Sequence, residues 1–343
     1  MKSGQVKKVT PKRIEEGTLP NIMVLYKELK QYIIGQEDAL KKVVLSIYRN
    51  VDFEIKSNVL IIGKSGSGKT ETMKQLADIL GLPYTIEDAT KYSKVGYSGA
   101  SVEDMIFNLY VKSGCDLEQT EKGMLIIDEI DKKADPTNDK SDVANQPVLH
   151  SLLKVVEGTI IPIKEEDTFM EYVNTRKMIV VFMGAFEGLD AIREERLNVK
   201  HIGFQVSDME KDNEKDLHYT KEDLIKYGLP AEFVGRLDTI IEYKGLTQKD
   251  LVNILKRSKL SIFKSYEQQF RKKGIILRYQ QLLFKRLAQK ALNEETGARE
   301  LSKVVNEMFE EILFRVLSAP PGTYRECILK NEIATNPQAY VLR

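Results

Sequence analysis

One octapeptide constrains this chain more than any other stretch of it: Gly63-Lys64-Ser65-Gly66-Ser67-Gly68-Lys69-Thr70. A glycine, four residues, then Gly-Lys-Thr is the spacing of a phosphate-binding loop, provided a strand precedes it and a helix follows. Both flanks are present. The apolar run Asn58 to Ile62 reads as a buried strand. Met73, Leu76, Ala77 and Leu80 then share one helical face until Gly81 breaks the pattern. A chance Gly/Ser turn would not need those flanks. Backbone N–H groups of Gly63, Lys64, Ser65, Gly66, Ser67 and Gly68 can converge on phosphate oxygens at the helix N-terminus. Lys69 is then within reach of the β- and γ-phosphates, and the Thr70 hydroxyl of a Mg²⁺ ion.

A second motif supplies the partner. In Met124-Leu125-Ile126-Ile127-Asp128-Glu129 a buried strand ends in two carboxylates, at the strand end where open α/β sheets bind ligands. Asp128 suits the Mg²⁺ shell and Glu129 suits polarisation of an attacking water. Alone, the pair could be a strand running into an acidic turn; downstream of a phosphate loop it points to a nucleotide hydrolase. Met178 to Phe182 and Thr239 to Tyr243 read as further short strands, and Asn21 to Ile34 as a helix with Leu25, Leu29, Tyr32 and Ile33 on one face, broken by Gly35. Strands alternating with helices imply an α/β fold with a parallel sheet covered by helices on both faces.

After Tyr243 the pattern changes. Thr247 to Asp250 reads as a capping box opening a helix through Leu251, Val252, Ile254 and Leu255; helical stretches follow over Gln280 to Asn293 and Ala298 to Val316. Strand-like pieces, Cys327 to Leu329 and Ala339 to Leu342, close the chain. The expected regions are a flexible polar tail over 1–20, a large nucleotide-binding domain over 21–245 and a smaller, mainly helical domain over 246–343. Lys132 to Asn145 and Gln205 to His218 read as exposed polar loops.

Composition narrows the setting. Lys plus Arg is 52 against 51 for Asp plus Glu, a net charge of +1, which argues against a protein that coats nucleic acid. The longest nearly unbroken apolar run, Met178 to Phe186, is far too short to cross a bilayer. The opening residues are polar, with no charged-then-apolar leader, so the expectation is a cytoplasmic protein. Cys115 and Cys327 are too few for a disulfide framework, and both are expected to be buried or half-buried thiols. His150, His201 and His218 match no metal or catalytic spacing.

With these residues in place, the chain resembles the AAA+ ATPases, and within them the ClpX-type protein unfoldases, from about Leu19 into the C-terminal helices. Tyr32-Ile33-Ile34-Gly35-Gln36 is similar to the segment that packs on adenine in that family. Gly228 to Leu237 is similar to the stretch whose arginine, here Arg236, reaches a neighbouring subunit's nucleotide. Thr296 to Leu301 is similar to the segment whose arginine, here Arg299, senses the γ-phosphate. The resemblance implies a P-loop NTPase core, ATP and Mg²⁺ as cofactors, and a homo-hexameric ring. Gly96-Tyr97-Ser98-Gly99 resembles the aromatic pore loop that grips a translocating polypeptide. Ile202-Gly203-Phe204 resembles the tripeptide that docks on a ClpP-type peptidase. Two bulky apolar side chains on an exposed loop would find a natural place in a partner's pocket.

There are departures. No cysteine precedes Pro20, where the family commonly carries a zinc domain, so that domain is expected to be missing. After Glu157-Gly158-Thr159 the chain runs into acidic Glu165-Glu166-Asp167, where the family is basic. Ala144 to Pro147 lacks the family's glycine-rich second pore loop, and Met183 replaces one of two consecutive glycines. The expected function is ATP-driven unfolding and translocation of polypeptides into a ClpP-type peptidase. Two alternatives stay open: an AAA+ motor or loader on nucleic acid, which should carry basic pore loops, and a remodeller that works without a peptidase.

Overall fold

The computed structural model describes residues 19–92, 100–135, 146–164, 170–203, 217–293 and 297–343, with side chains described for all of these except 146–147 and 198–203. In chain order the first elements are α1 (Ile22–Leu29), α2 (Glu37–Phe53), β1 (Asn58–Ile62), α3 (Lys69–Leu80), β2 (Tyr84–Asp88), α4 (Val102–Lys112), α5 (Leu117–Glu121) and β3 (Met124–Asp128). A 3-10 turn over Ile130–Lys133 leads to α6 (Gln146–Glu157), β4 (Ile160–Lys164), β5 (Met170–Asn174), β6 (Ile179–Gly184), α7 (Leu189–Gly203), α8 (Lys221–Tyr227), α9 (Ala231–Gly235) and β7 (Thr239–Glu242). The C-terminal part holds α10 (Gln248–Arg257), α11 (Ile262–Lys272), β8 (Ile276–Tyr279), α12 (Leu283–Leu292), α13 (Ala298–Ser318), β9 (Glu326–Leu329) and β10 (Tyr340–Leu342).

The main sheet runs β2-β3-β6-β1-β7, and each of these pairings is parallel. Period-two alternation sorts its side chains cleanly. Leu60, Ile62, Leu125, Ile127, Val180 and Phe182 join α4, α6, α8 and α9 in one core. Val59, Ile61, Met124, Ile126, Ile179 and Val181 join α1, α2 and α3 in another. The α/β fold expected from the sequence is therefore what the chain adopts, with helices on both faces of a parallel sheet. A third core, Leu251 to Ala334, fills the C-terminal part around Phe263, Phe284 and Phe309.

Some elements differ from the expectation. The first helix stops at Leu29 rather than Ile34. Its next carbonyls have tertiary partners instead of helical ones: Lys259 N donates to Gln31 O at 2.8 Å and Ser258 Oγ to Tyr32 O at 2.6 Å. β2 had no clear apolar signature, because Thr85 and Glu87 are its inward residues. Glu87 is held there by Thr85 at 2.6 Å, by Asn108 at 3.1 Å and by the Tyr92 hydroxyl. The chain after Thr159 forms a β4–β5 hairpin, antiparallel, whose connection over 165–169 lies outside the described residues. β8 pairs parallel with β9 to make a small three-stranded sheet with β10.

Cys327 is buried, and burial pushes its thiol pKa up to about 12. Cys115 corrects the expectation: it is exposed, in the surface turn between α4 and α5, where its backbone takes φ 61°. Among the described residues no helix is long and apolar enough to cross a membrane.

The capping box at α10 is present as read. Asp250 N donates to Thr247 Oγ1 at 3.2 Å and Thr247 N to the Asp250 carboxylate at 2.9 Å. Thr247→Ala should lower stability by roughly 1 kcal/mol, the usual worth of an N-cap hydroxyl. Urea denaturation measures it; a midpoint identical to wild type would show that the box contributes nothing.

Candidate nucleotide site

The phosphate loop leaves β1 at Gly63 and enters α3 at Lys69. Gly66 (φ 71°) and Gly68 (φ 99°) take left-handed backbone that side-chain-bearing residues avoid. A Cβ on Gly63 would lie 2.7 Å from the Tyr243 carbonyl oxygen, so the loop also packs too closely on the end of β7 for a larger residue. Lys69 is buried at 8% exposure. Its ammonium donates to Gly63 O and, at 3.1 Å, to Lys64 O. Burial pushes its pKa down; the carboxylates of Asp128 and Asp131 push it back up, and Arg299 lowers it.

β3 lies two strands from β1 in the sheet and brings the acidic pair to the same end. Thr70 Oγ1 donates to Asp128 Oδ2 at 3.2 Å, so the two expected metal ligands touch. Glu129 adopts φ 59° and ψ 32°, and its N–H donates to Asp128 Oδ1 at 3.0 Å. That turn leaves Glu129 exposed on the cavity wall while Asp128 faces Thr70.

Ser65 to Thr70, Asp128, Glu129 and Asp131 line a cavity of about 700 Å³; Gly63 and Lys64, expected at the phosphates, are not part of its lining. Ile33 and Ile34 form part of its apolar lining, as do Leu246, Ile254 and Leu301 from the C-terminal part. Arg299 lines the cavity as well, and its Nη1 donates to Ser65 Oγ at 3.2 Å. Beside it, Ala298 N donates to Gly66 O at 3.1 Å, and Gly297 (φ 58°) comes so near that a Cβ there would lie 3.0 Å from Gly66 O. The C-terminal part thus closes directly on the loop. Ser67 Oγ and Asp131 Oδ1 are buried without a partner. Orphaned polar atoms beside a glycine cradle suit a charged ligand that brings its own hydrogen-bonding groups.

Asp131 and Gln36 were not singled out by the sequence reading. Asp131 Oδ2 accepts Phe186 N at 3.2 Å, and a Cβ on Gly184 would sit 2.5 Å from its Oδ1. The signal for it was a third carboxylate two residues beyond Glu129. Two further attachments leave the same turn: Lys133 Nζ donates to Tyr92 O at 2.9 Å, and Asp135 N to Gly228 O at 3.0 Å. Gln36 was legible only as part of the adenine-side segment.

Not every expected site residue is in this cavity. Arg236 follows α9, outside the cavity lining, where its guanidinium pairs with Glu157 at 2.6 Å and its carbonyl accepts Asn58 Nδ2 at 3.1 Å. Tyr97 and Phe204 lie outside the described residues; Ile202 and Gly203 are the last residues of α7. The flanks of the Tyr97 segment are joined by a parallel bridge between Tyr92 and Ala100. His150 is exposed, and His218 pairs with Glu242 at 3.1 Å.

A family model described as AAA domain (Cdc48 subfamily) matches residues 54–240, and one for the C-terminal D2-small domain of ClpB protein matches 246–323. The chain is 35% identical over 327 residues to the ATP-dependent Clp protease ATP-binding subunit ClpX of Borrelia duttonii (strain Ly), covering 88% of this chain and 76% of that protein. It is 33% identical over 327 residues to the same subunit of Treponema denticola, covering 88% and 79%. It is 32% identical over 344 residues to the subunit named ClpX 2 of Wolinella succinogenes, covering 94% and 84%.

Proposed function

This chain belongs to the AAA+ ATPases of ClpX type, and we propose that it is a ring-forming, ATP-driven unfoldase that delivers polypeptides to a ClpP-type peptidase. It binds nucleotide and is an ATPase, as its family is. The observation that carries the proposal is the convergence of the phosphate loop, the Asp128–Glu129 pair and Arg299 on one cavity that Leu246, Ile254 and Leu301 close from the C-terminal side. A motor needs that arrangement, because occupancy of the cavity then bears on the angle between two bodies. We divide them as 21–245 and 246–343.

In this reading Gly63 to Gly68 cradle the phosphates, Ile33 and Ile34 flank the base, and Lys69 leaves its loop carbonyls for the β- and γ-phosphates. Thr70 and Asp128 would hold Mg²⁺, whose bound charge draws electron density from the γ-phosphate oxygens. Glu129 takes a proton from water as the water oxygen bonds to the γ-phosphorus; the bridging P–O bond breaks and its electrons leave on ADP. Arg299 from the same chain and Arg236 from a neighbour in a homo-hexamer balance the charge that develops. Tyr97 grips the polypeptide and Ile202-Gly203-Phe204 reaches the peptidase. A cytoplasmic setting completes the proposal. A nucleic-acid motor is disfavoured by the net charge of +1 and by the acidic Glu165 to Asp167.

The test is ATP-dependent degradation of a tagged substrate with an added ClpP-type peptidase. Phe204→Ala should cut degradation roughly tenfold through lost docking, while hydrolysis and unfolding stay within about twofold. Degradation equal to wild type would remove Phe204 from the docking role, and no degradation by wild type would remove the peptidase from the proposal.

A further inference from the structure

Gln36 opens α2 but does not cap it: no side-chain hydrogen bond to the helix is made. Its amide is turned inward instead, at 3% exposure. Nε2 donates to Lys244 O at 2.7 Å and to Ser67 O at 3.2 Å, and Oε1 accepts Lys244 N at 3.1 Å. Both donor hydrogens and one acceptor position are therefore in use. One side chain thus joins the phosphate loop to the linker between β7 and α10.

Its neighbours tighten the same joint. At Gly35 (φ 83°) a Cβ would lie 2.7 Å from Asp250 Cγ, inside the capping box of α10. A few residues earlier, Gln31 O and Tyr32 O are bonded to Lys259 and Ser258. The connector over 30–36 is thereby fastened to the C-terminal part along its length, and Gln36 carries that fastening to Ser67.

The contact with Ser67 has a directional consequence. In a trans peptide the C=O and the next N–H point in opposite directions. Holding Ser67 O on Gln36 turns Gly68 N–H away from Gln36, and Gly68 lines the nucleotide cavity. The geometry points to Gln36 as a positioning residue that fixes the Ser67–Gly68 peptide against the 243–247 linker, so that nucleotide affinity depends on this buried amide. This rests on the reading of Gly63 to Thr70 as the ATP site.

Gln36→Glu tests it, since the two side chains have the same shape. The introduced carboxylate would face two carbonyl oxygens with no donor; once protonated, it would regain one. Burial and those oxygens raise such a carboxyl's pKa, which brings the switch into an accessible range. With a fluorescent ATP analogue, affinity should fall about tenfold at pH 8 and recover to within about threefold of wild type at pH 6. Wild type at both pH values gives the baseline for the other ionisable groups nearby, among them Glu37, Lys69, Lys244 and Asp250. Gln36→Leu should lose affinity equally at both pH values, with secondary structure and melting point recorded for each variant. Wild-type affinity in either variant, or a loss in Gln36→Glu that is the same at pH 6 and pH 8, would overturn the assignment. Lys69→Ala separates the two readings: if it binds the analogue normally, the site itself is misread, whereas if it does not and Gln36→Glu does, only the role of Gln36 falls.

Discussion

Glu129→Gln should bind ATP about as well as wild type and hydrolyse it roughly 100-fold more slowly, the usual contribution of a general base. The two carboxylates divide their duties by position. Asp128 is half-buried, accepts the Thr70 hydroxyl at 3.2 Å and accepts the Glu129 N–H. Glu129, turned out by its left-handed backbone, is exposed on the cavity wall. An amide in its place keeps size and shape, so ground-state binding has little reason to change. What it loses is the ability to take a proton from water. Single-turnover hydrolysis alongside equilibrium binding of a fluorescent nucleotide separates the two effects. Full turnover by the variant would take Glu129 out of the mechanism and leave the acidic pair with a role in holding metal alone.

Arg236→Ala should lower turnover further, by about 10³-fold, with nucleotide binding to its own cavity retained. Arg236 lies outside the cavity, and its guanidinium pairs with Glu157 on a half-exposed surface. Such an exposed ion pair is worth little, between 0 and about 1 kcal/mol, so exchanging it for a neighbour's γ-phosphate costs little. The backbone is held more firmly, through Asn58 Nδ2 on Arg236 O at 3.1 Å. A fixed backbone with a releasable side chain suits a group that acts across an interface. Wild-type protein diluted with Arg236→Ala protein should lose activity in proportion to the mixed interfaces of the proposed ring. An ATPase rate per chain that is independent of protein concentration, with a monomeric mass in ATP, would remove the ring and the trans role together.

The parts of the molecule that the sequence disclosed are those where one physical requirement acts alone. β1, β3 and β6 are covered on both faces, so they had to be apolar runs, and their ends are legible to within two residues. The phosphate loop was plain because its two left-handed positions, Gly66 and Gly68, favour glycine and fall in a fixed spacing with Lys69 and Thr70. β2 escaped notice because a buried polar network around Glu87 replaces the apolar signal. The end of α1 was misjudged because its carbonyls find partners at 258 and 259, far along the chain, which periodicity does not register. Cys115 was expected to be buried or half-buried because cysteine usually is, yet it lies exposed in a turn at φ 61°. Within the site, Lys69, Thr70, Asp128, Glu129 and Arg299 were found through local motifs and do line one cavity. Gln36 and Asp131 act through contacts between 31 and 208 residues away in sequence, so the local signs, a third carboxylate after Glu129 and the end of the adenine-side segment, did not reveal what they hold.

A single turn of 3-10 helix is ordinarily among the most compliant pieces of a fold. The one over Ile130–Lys133 has lost that softness. It starts at the strained Glu129, holds the Phe186 amide through Asp131 and the Tyr92 carbonyl through Lys133, and passes directly to Asp135 on Gly228. With so many anchorages on so few residues there is little slack to absorb a push. Any shift of the Glu129 backbone is therefore shared at once among the flank of the 93–99 segment, the turn after β6 and the start of the stretch that carries Arg236.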